Sequence, residues 1–167
     1  MKRKFIYMAL LLICISLAAI PVMSASDSTQ TQAAVKTKPA EAIKWYDYQD
    51  GLKQMKEGHK KGFVHFYTDW CTYCKLMNRQ TFTDKSVIAY LNENFIPIRI
   101  NAEKERDVAQ KYGVNRFPTN FFMAEDGSLI GNRPGFIPSD LMLSMLKYIN
   151  TDSFKTISFA DFMEKKN

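Results

Sequence analysis

Apolar runs and capped amphipathic segments alternate along residues 41–150, which predicts strands alternating with helices. Five runs rich in β-branched and aromatic residues predict the strands: 43–46, 63–68 (FVHFYT), 95–100 (FIPIRI), 119–123 (TNFFM) and 128–133 (SLIGNR). The last two flank Glu125-Asp126-Gly127, which is typical of a hairpin turn. Pro97 lies inside the third run and must occupy a position where the sheet needs no backbone N–H.

Candidate cap residues delimit the predicted helices. Asp47, Asp84 and Ser139 stand at N-cap positions, and Gly58 and Gly113 stand where helices can end. The helices so delimited are 48–56, a segment with Val87, Ile88 and Leu91, 103–112, and a segment with Leu141, Met145 and Ile149. A further helix begins at the cysteine segment, so the predicted order is β-α-β-α-β-α-β-β-α. Helical crossovers imply parallel strands and the hairpin adds an antiparallel pair, so we expect an α/β fold whose central mixed sheet is flanked by helices.

The N-terminus has the layout of a secretory signal. Lys2, Arg3 and Lys4 precede the uncharged apolar run 5–20, and small residues follow around Ser24. This run is shorter than the roughly 20 residues that span a bilayer, which favours cleavage of residues 1–25. We therefore expect a periplasmic or secreted protein, with an uncleaved N-terminal membrane anchor as the alternative.

Composition divides the remaining chain into a linker, one domain and a tail. Residues 26–40 are rich in Ser, Thr, Gln and Ala and predict a flexible linker before the domain at 41–150. In the tail at 151–167, Ser158 and Asp161 form a capping signal around apolar residues, which predicts a short added helix lying on the domain; docking to a partner is the alternative.

Charge gives no indication of a nucleic-acid partner. The formal net charge of +6 includes three cations of the signal, so 23 minus 3 cations and 17 anions leave +3 after cleavage. No long Lys/Arg block accompanies this small surplus.

Cys71 and Cys74 in DWCTYCK form the candidate chemical site. The preceding strand ends at Thr68 and delivers them to the carboxyl edge of the sheet, where sites form in such folds. Helical residues three apart have Cα atoms about 5 Å apart, within the range of a disulfide. A helix N-terminus would stabilise a thiolate on Cys71, and Cys74, one turn further, could resolve a mixed disulfide.

Other roles for the cysteine pair are less favoured. Zinc needs about four ligands, and the mature chain adds only His59 and His65. A purely structural disulfide gains little stability from closing so short a loop. Trp70, directly before Cys71, is expected to shield the disulfide and offer substrates an apolar surface; plain packing is the alternative.

These residues also carry a family resemblance. DWCTYCK after FVHFYT, RFPT before a strand and Gly135 after the hairpin resemble a thioredoxin-fold thiol–disulfide oxidoreductase. TDWCTYCKLMNRQTFTDKSVIAYL is similar to the periplasmic C-terminal domain of the transmembrane electron carrier DsbD, and the resemblance covers residues 43–149. It implies a thioredoxin fold, Cys71 as nucleophile and Cys74 as resolving thiol. It also implies a cis Phe117–Pro118 bond facing them, whose loop pairs with the substrate backbone.

Two positions depart from the pattern of these relatives, which carry an aspartate six residues before the first cysteine and a glutamate seven after it. This chain has His65 and Asn78 there. His65 has two interpretations: a hydrogen-bonded core residue, which is commoner, or a neutral base that accepts the proton of Cys74.

The expected function is therefore an exported thiol–disulfide oxidoreductase that reduces protein disulfides. It would need no metal or organic cofactor, act as a monomer, and receive electrons from a membrane electron carrier. An oxidase or isomerase with the same chemistry is one alternative. A non-catalytic chaperone module that binds thiols or a metal ion is another.

Overall fold

The structure, a computed structural model, describes residues 42–165. The predicted signal at 1–25 and linker at 26–40 lie outside the described residues. Within residues 42–165, no helix is both long enough and apolar enough to cross a membrane.

Helices and strands alternate along the described chain in nearly the predicted order. The elements are α1 Tyr48–Gly58, β1 Lys61–Tyr67, α2 Thr72–Gln80, α3 Lys85–Asn94, β2 Phe95–Asn101, α4 Arg106–Lys111, β3 Thr119–Met123, β4 Leu129–Pro134, α5 Ser139–Asn150, a 3₁₀ turn Ser153–Lys155, and α6 Phe159–Glu164.

The four strands form one mixed sheet in the order β2-β1-β3-β4. β1 pairs with β2 in parallel and with β3 antiparallel, and β3 and β4 form the predicted hairpin. Side chains from both faces of the sheet are buried: Phe63 and Phe122 lie in one apolar cluster, while Val64 and Phe121 lie in the other. The predicted α/β fold with a central mixed sheet and flanking helices is confirmed.

The predicted first strand at 43–46 is reduced to a single parallel bridge between Tyr46 and Ile98. Tyr46 N donates to Pro97 O over 2.8 Å, and Arg99 N donates to Tyr46 O over 3.0 Å. The bridge cannot extend forward because the next residue, Asp47, already caps α1. Since a residue's N and O point to the same side of a strand, the ring nitrogen of Pro97 faces this sparsely paired edge, and the prediction for Pro97 is confirmed.

Two predicted caps form as expected. The carboxylate of Asp47 accepts from Asp50 N at the start of α1, and that of Asp84 accepts from Ser86 N and Val87 N at the start of α3. The first turn of each helix thereby satisfies backbone donors that would otherwise lack partners.

Several boundaries differ from the predicted ones. Gly58 is the last residue of α1, and the left-handed residue that ends the helix is His59, with φ of 47°. α4 begins at Arg106, because Glu103 N donates to the side chain of Asn101 and holds a turn there. Pro138, not Ser139, occupies the N-cap position of α5.

The tail packs against α5 at Tyr148. The rings of Phe159 and Phe162 each lie 5.3 Å from the ring of Tyr148, whose hydroxyl donates to Ile157 O over 2.6 Å. The predicted capping box between Ser158 and Asp161 begins helix α6.

Candidate redox site

Cys71 and Cys74 are joined by a disulfide at the carboxyl end of β1. Cys71 is the N-cap residue of α2, with extended backbone, and its Sγ accepts from Cys74 N over 3.0 Å. Their Cα atoms are 5.2 Å apart, close to the separation expected from helical geometry. When the bond opens, a negative charge on Cys71 Sγ meets this N–H and the positive end of the helix dipole, which stabilises a thiolate there.

Two exposed aromatic side chains flank the disulfide. Trp70 and Tyr73 are 65% and 62% exposed, although both sulfur-bearing residues are buried. The Trp70 ring meets the Phe117 ring edge-on, with centroids 6.0 Å apart. The disulfide therefore lies beside an apolar surface that a substrate chain can contact.

The loop before β3 lies at the same edge of the sheet as the disulfide. Its Phe117–Pro118 peptide bond is cis, and Pro118 O accepts from Gly135 N over 2.7 Å. The contact between Trp70 and Phe117 places this loop beside the residue that precedes Cys71.

A hydrogen-bonded group of polar residues, which sequence reasoning missed, holds the segment before Cys71. Trp70 Nε1 donates to Glu103 Oε1 over 3.1 Å, and Asn101 Nδ2 donates to Asp69 Oδ2 over 3.1 Å. Asn101 Oδ1 in turn accepts from Glu103 N at 3.0 Å. Because β1 and β2 are parallel neighbours, their carboxyl ends meet at one edge of the sheet. The predicted parallel pairing of these strands was therefore the sequence signal that could have brought these polar residues together.

His65 is completely buried in the middle of β1. Its Nδ1 lies 2.8 Å from Oδ1 of Asn120, whose Nδ2 donates to Arg133 O over 3.3 Å. This second bond turns Oδ1 of Asn120 toward the ring, so Nδ1 of His65 carries the proton and donates it. Nε2 then has a free lone pair and no hydrogen-bond partner among the described residues.

Burial keeps His65 uncharged at neutral pH. Desolvation lowers the pKa of His65 to about 4, the bond to Asn120 opposes this shift, and the positive charge of Arg99 adds to it. Such a weak base is poorly matched to a thiol proton near pH 7. This environment fits the core-residue interpretation, and the proton-acceptor role remains a prediction.

Asn78 of α2 and Arg99 of β2 are joined by a hydrogen bond between the helix and the sheet. Arg99 Nη2 donates to Asn78 Oδ1 over 3.2 Å, and the guanidinium lies 4.3 Å from the centre of the Tyr67 ring. Arg99 is also the partner of His65 across the parallel pair β1 and β2. The position where the relatives described above carry a glutamate thus holds an amide bonded to a cation.

Metal-binding geometry is not apparent in the part of the chain that the structure describes. No group of three or more His, Cys, Asp or Glu side chains there is placed to hold an ion. His59, which the sequence offered as a possible ligand, is exposed at the end of α1.

Comparison with known proteins identifies the family of this domain. The family described as thioredoxin-like domain matches residues 48–150. An uncharacterized protein of Archaeoglobus fulgidus is 29% identical over 144 residues, which cover 86% of this chain and 99% of that protein. The thiol:disulfide interchange protein DsbD of Haemophilus influenzae is 25% identical over 164 residues, 89% of this chain but only 28% of that protein.

A solved structure shows the same fold. The solution structure of a thioredoxin from Thermus thermophilus superposes with a TM-score of 0.60 at 23% identity, covering 65% of this chain and 87% of that chain. At this level of identity the likeness concerns the fold alone.

Proposed function

Because this chain belongs to the thioredoxin-like family and is a thiol–disulfide oxidoreductase, we propose that it is exported and reduces disulfides of other proteins. The observation that supports this most directly is the placement of Cys71 at the N-cap of α2, bonded to Cys74. A nucleophile at a helix N-terminus, next to a resolving thiol one turn away, is what dithiol exchange requires.

The proposed reaction has two exchange steps. The Cys71 thiolate attacks one sulfur of the substrate disulfide; that S–S bond breaks, and the other substrate sulfur leaves and takes a proton. Cys74, after losing its own proton, attacks Cys71 Sγ and re-forms the disulfide, so the second substrate sulfur leaves as a thiol. Two electrons and two protons pass to the substrate, and the cysteine pair itself carries them without a metal or organic cofactor.

The surfaces around the disulfide have assigned roles in this proposal. Trp70 and Phe117 provide apolar contact for the substrate chain, and the backbone of the loop at Pro118 pairs with it. The sequence features at 1–25 support export to the periplasm or beyond. An exported reductase needs electrons from another compartment, so a membrane-embedded dithiol carrier is the proposed reductant, and the protein itself is proposed to act as a monomer.

The same chemistry in the opposite direction, as an oxidase or isomerase, is the second candidate. Arg99 favours it, because a cation beside the cysteine helix stabilises the reduced thiolate form, and such stabilisation makes a dithiol pair more oxidising. Equilibration of the purified protein with glutathione separates the two. A reduction potential of about −270 mV fits a reductase, and one of about −120 mV fits an oxidant.

A trapping experiment tests the proposed substrate class. Cys74→Ser in the native organism leaves Cys71 able to form a mixed disulfide that cannot be resolved. We therefore expect other proteins to be disulfide-linked to Cys71 and to be released on reduction. The double variant Cys71→Ser/Cys74→Ser is the matched control and should capture none. Capture by neither variant, together with no reduction of insulin by the wild type, would contradict a protein-disulfide reductase.

A further inference from the structure

Arg99 places a permanent positive charge between β2 and helix α2. Its Nε is completely buried, and its guanidinium lies 4.3 Å from the centre of the Tyr67 ring and 5.8 Å from that of Trp45. Nη2 donates to the side chain of Asn78 on α2 over 3.2 Å. Because a guanidinium does not lose its proton in proteins, this charge is present throughout the pH range of thiol chemistry.

Within residues 42–165 the charge of Arg99 has no carboxylate partner. The acids that form ion pairs within 4.0 Å there are Glu57 and Asp152, and their partners are lysines. The buried residues of the described chain include no aspartate or glutamate. No acid of the described residues neutralises the charge beneath α2. Its field reaches a neighbouring group, because it adds to the lowering that burial mainly causes in the pKa of His65, its cross-strand partner.

Cys74 lies one helical turn before Asn78, the residue of α2 that accepts from Arg99. Asn78 follows Cys74 by four residues on the helix, so the two side chains share a face, with Cβ atoms about 5–6 Å apart. Cys74 is 1% exposed, so water screens its interactions weakly. The cation held by Asn78 is itself only partly buried, but the sulfur on which it acts is enclosed by protein.

We propose that Arg99 stabilises the thiolate of Cys74 and thereby accelerates the step that resolves the mixed disulfide. This inference rests on the proposed exchange reaction, in which Cys74 must lose its proton before it attacks Cys71 Sγ. A fixed cation does not accept the proton; it lowers the free energy of the sulfur anion, and the proton passes to solvent. The site then needs no strong base at His65.

The other ionisable side chains on the elements around Cys74 differ from Arg99 in charge or in exposure. They are His65 and Tyr67 on β1, the exposed Tyr73, Lys75 and Arg79 on α2, and Asp69 and Glu103 in the adjoining loops; Lys61, also on β1, pairs with Asp152. Burial leaves His65 neutral, while Lys75, Asp69 and Glu103 are exposed, so solvent screens their charges.

The test measures the ionisation of Cys74 alone. In a Cys71→Ser background, the ultraviolet absorbance of the thiolate is followed against pH for the parent and for Arg99→Gln. We expect Arg99→Gln to raise the pKa of Cys74 by about one unit. Arg79→Gln is the matched control, because it removes an equal charge from an exposed position of α2, the helix of Cys74, and should leave the pKa of Cys74 unchanged.

A kinetic measurement follows the same thiol during turnover. With both cysteines present, a mixed disulfide of Cys71 with a chromophoric aromatic thiol is formed, and release of that thiol reports attack by Cys74. Arg99→Gln should slow the release about threefold at pH 7, because a tenfold smaller thiolate fraction is partly offset by the higher nucleophilicity of the more basic thiolate. Arg99→Lys keeps the charge and should restore most of the rate.

A second variant covers the case in which Arg99→Gln does not fold. Asn78→Asp is nearly isosteric, and its carboxylate pairs with Arg99, so it too should raise the pKa of Cys74. Unchanged pKa values in whichever of Arg99→Gln and Asn78→Asp fold would overturn the proposal. No protein substrate enters these measurements, so failure to reduce protein disulfides would leave their outcome intact.

Discussion

Nδ1 of His65 donates to Oδ1 of Asn120 over 2.8 Å, and both side chains are completely inaccessible to solvent. The pair joins β1 to β3, its antiparallel neighbour, at the centre of the sheet. An uncharged histidine is stable there, whereas the protonated form would carry an unpaired charge beside Arg99. The stability of the fold should therefore depend on the protonation of this one ring.

The buried ring predicts a loss of stability in acid. The folded pKa of His65 is about 4, below its unfolded value near 6.5, so the unfolded chain binds the proton first as pH falls. Stability is complete above the unfolded pKa and decreases as pH falls from about 6.5 to 4. Integrated from pH 7.5 to 4.5, His65 accounts for a loss of about 2–3 kcal/mol.

Urea unfolding of the disulfide form at these two pH values checks this loss. His65→Gln, which does not titrate, should lose about 2–3 kcal/mol less than the wild type between them. His59→Asn removes the exposed histidine from a left-handed position that asparagine tolerates, and it should keep the wild-type pH dependence. Equal pH dependence in the wild type and His65→Gln would contradict a low folded pKa.

Asn120 should be required for the stability of this pair. Asn120→Ala leaves the His65 N–H and Arg133 O without their partner, and we expect the free energy of unfolding to fall by about 1–3 kcal/mol. Asn132→Ala, at an exposed position of β4, should change it by no more than about 0.5 kcal/mol. Similar costs in chemical denaturation for the two variants would argue against a role for the buried bond.

The bond between Trp70 and Glu103 predicts an effect on substrate reduction. Glu103→Ala removes the acceptor of the indole N–H, so Trp70 loses its fixed orientation beside the disulfide, and kcat/KM should fall about threefold to tenfold. Glu103→Gln keeps an acceptor oxygen and should retain most of the activity. Glu125→Ala, in the hairpin turn, is the surface control; if it and Glu103→Ala reduce insulin at the same rate, the orienting role is excluded.

Two glycines of α1 should respond in opposite ways to alanine. A Cβ at Gly51 would overlap the side chain of Ile98, so Gly51→Ala should destabilise the protein by about 1–3 kcal/mol. A Cβ at Gly58 meets nothing within 4 Å, so Gly58→Ala should stabilise the same helix by about 0.5 kcal/mol. Thermal unfolding of both variants measures the difference, and a gain in stability at Gly51 would show that Ile98 can move aside.

Sequence patterns predicted the bounds of helices and strands better than the contacts between them. β3 occupies the predicted residues 119–123, because its run of aromatic residues is bounded clearly by Pro118 and a polar turn. The pairing of His65 with Asn120 was not predicted, because it depends on β3 lying beside β1, and strand order does not follow from local pattern.

Helix α5 shows a second limit of sequence pattern. The sequence pattern indicated Leu141, Met145 and Ile149 as the apolar residues of this helix. Ile149 is buried, but Leu141 and Met145 are only partly buried against the core, and Met142 and Leu146 are fully buried. The segment is apolar on nearly every side, so its periodicity does not define one face. Only packing against α3 and the sheet decides which residues are enclosed.

The bridge at Tyr46 has a consequence for a protein proposed to act on the disulfides of other proteins. An exposed sheet edge can template the pairing of any extended polypeptide and so start aggregation. At the β2 edge, Tyr46 already occupies the carbonyl of Pro97 and the N–H of Arg99, and Pro97 has no N–H to offer. Other extended chains thus find fewer free backbone groups along this edge of the sheet, which protects the protein against aggregation there.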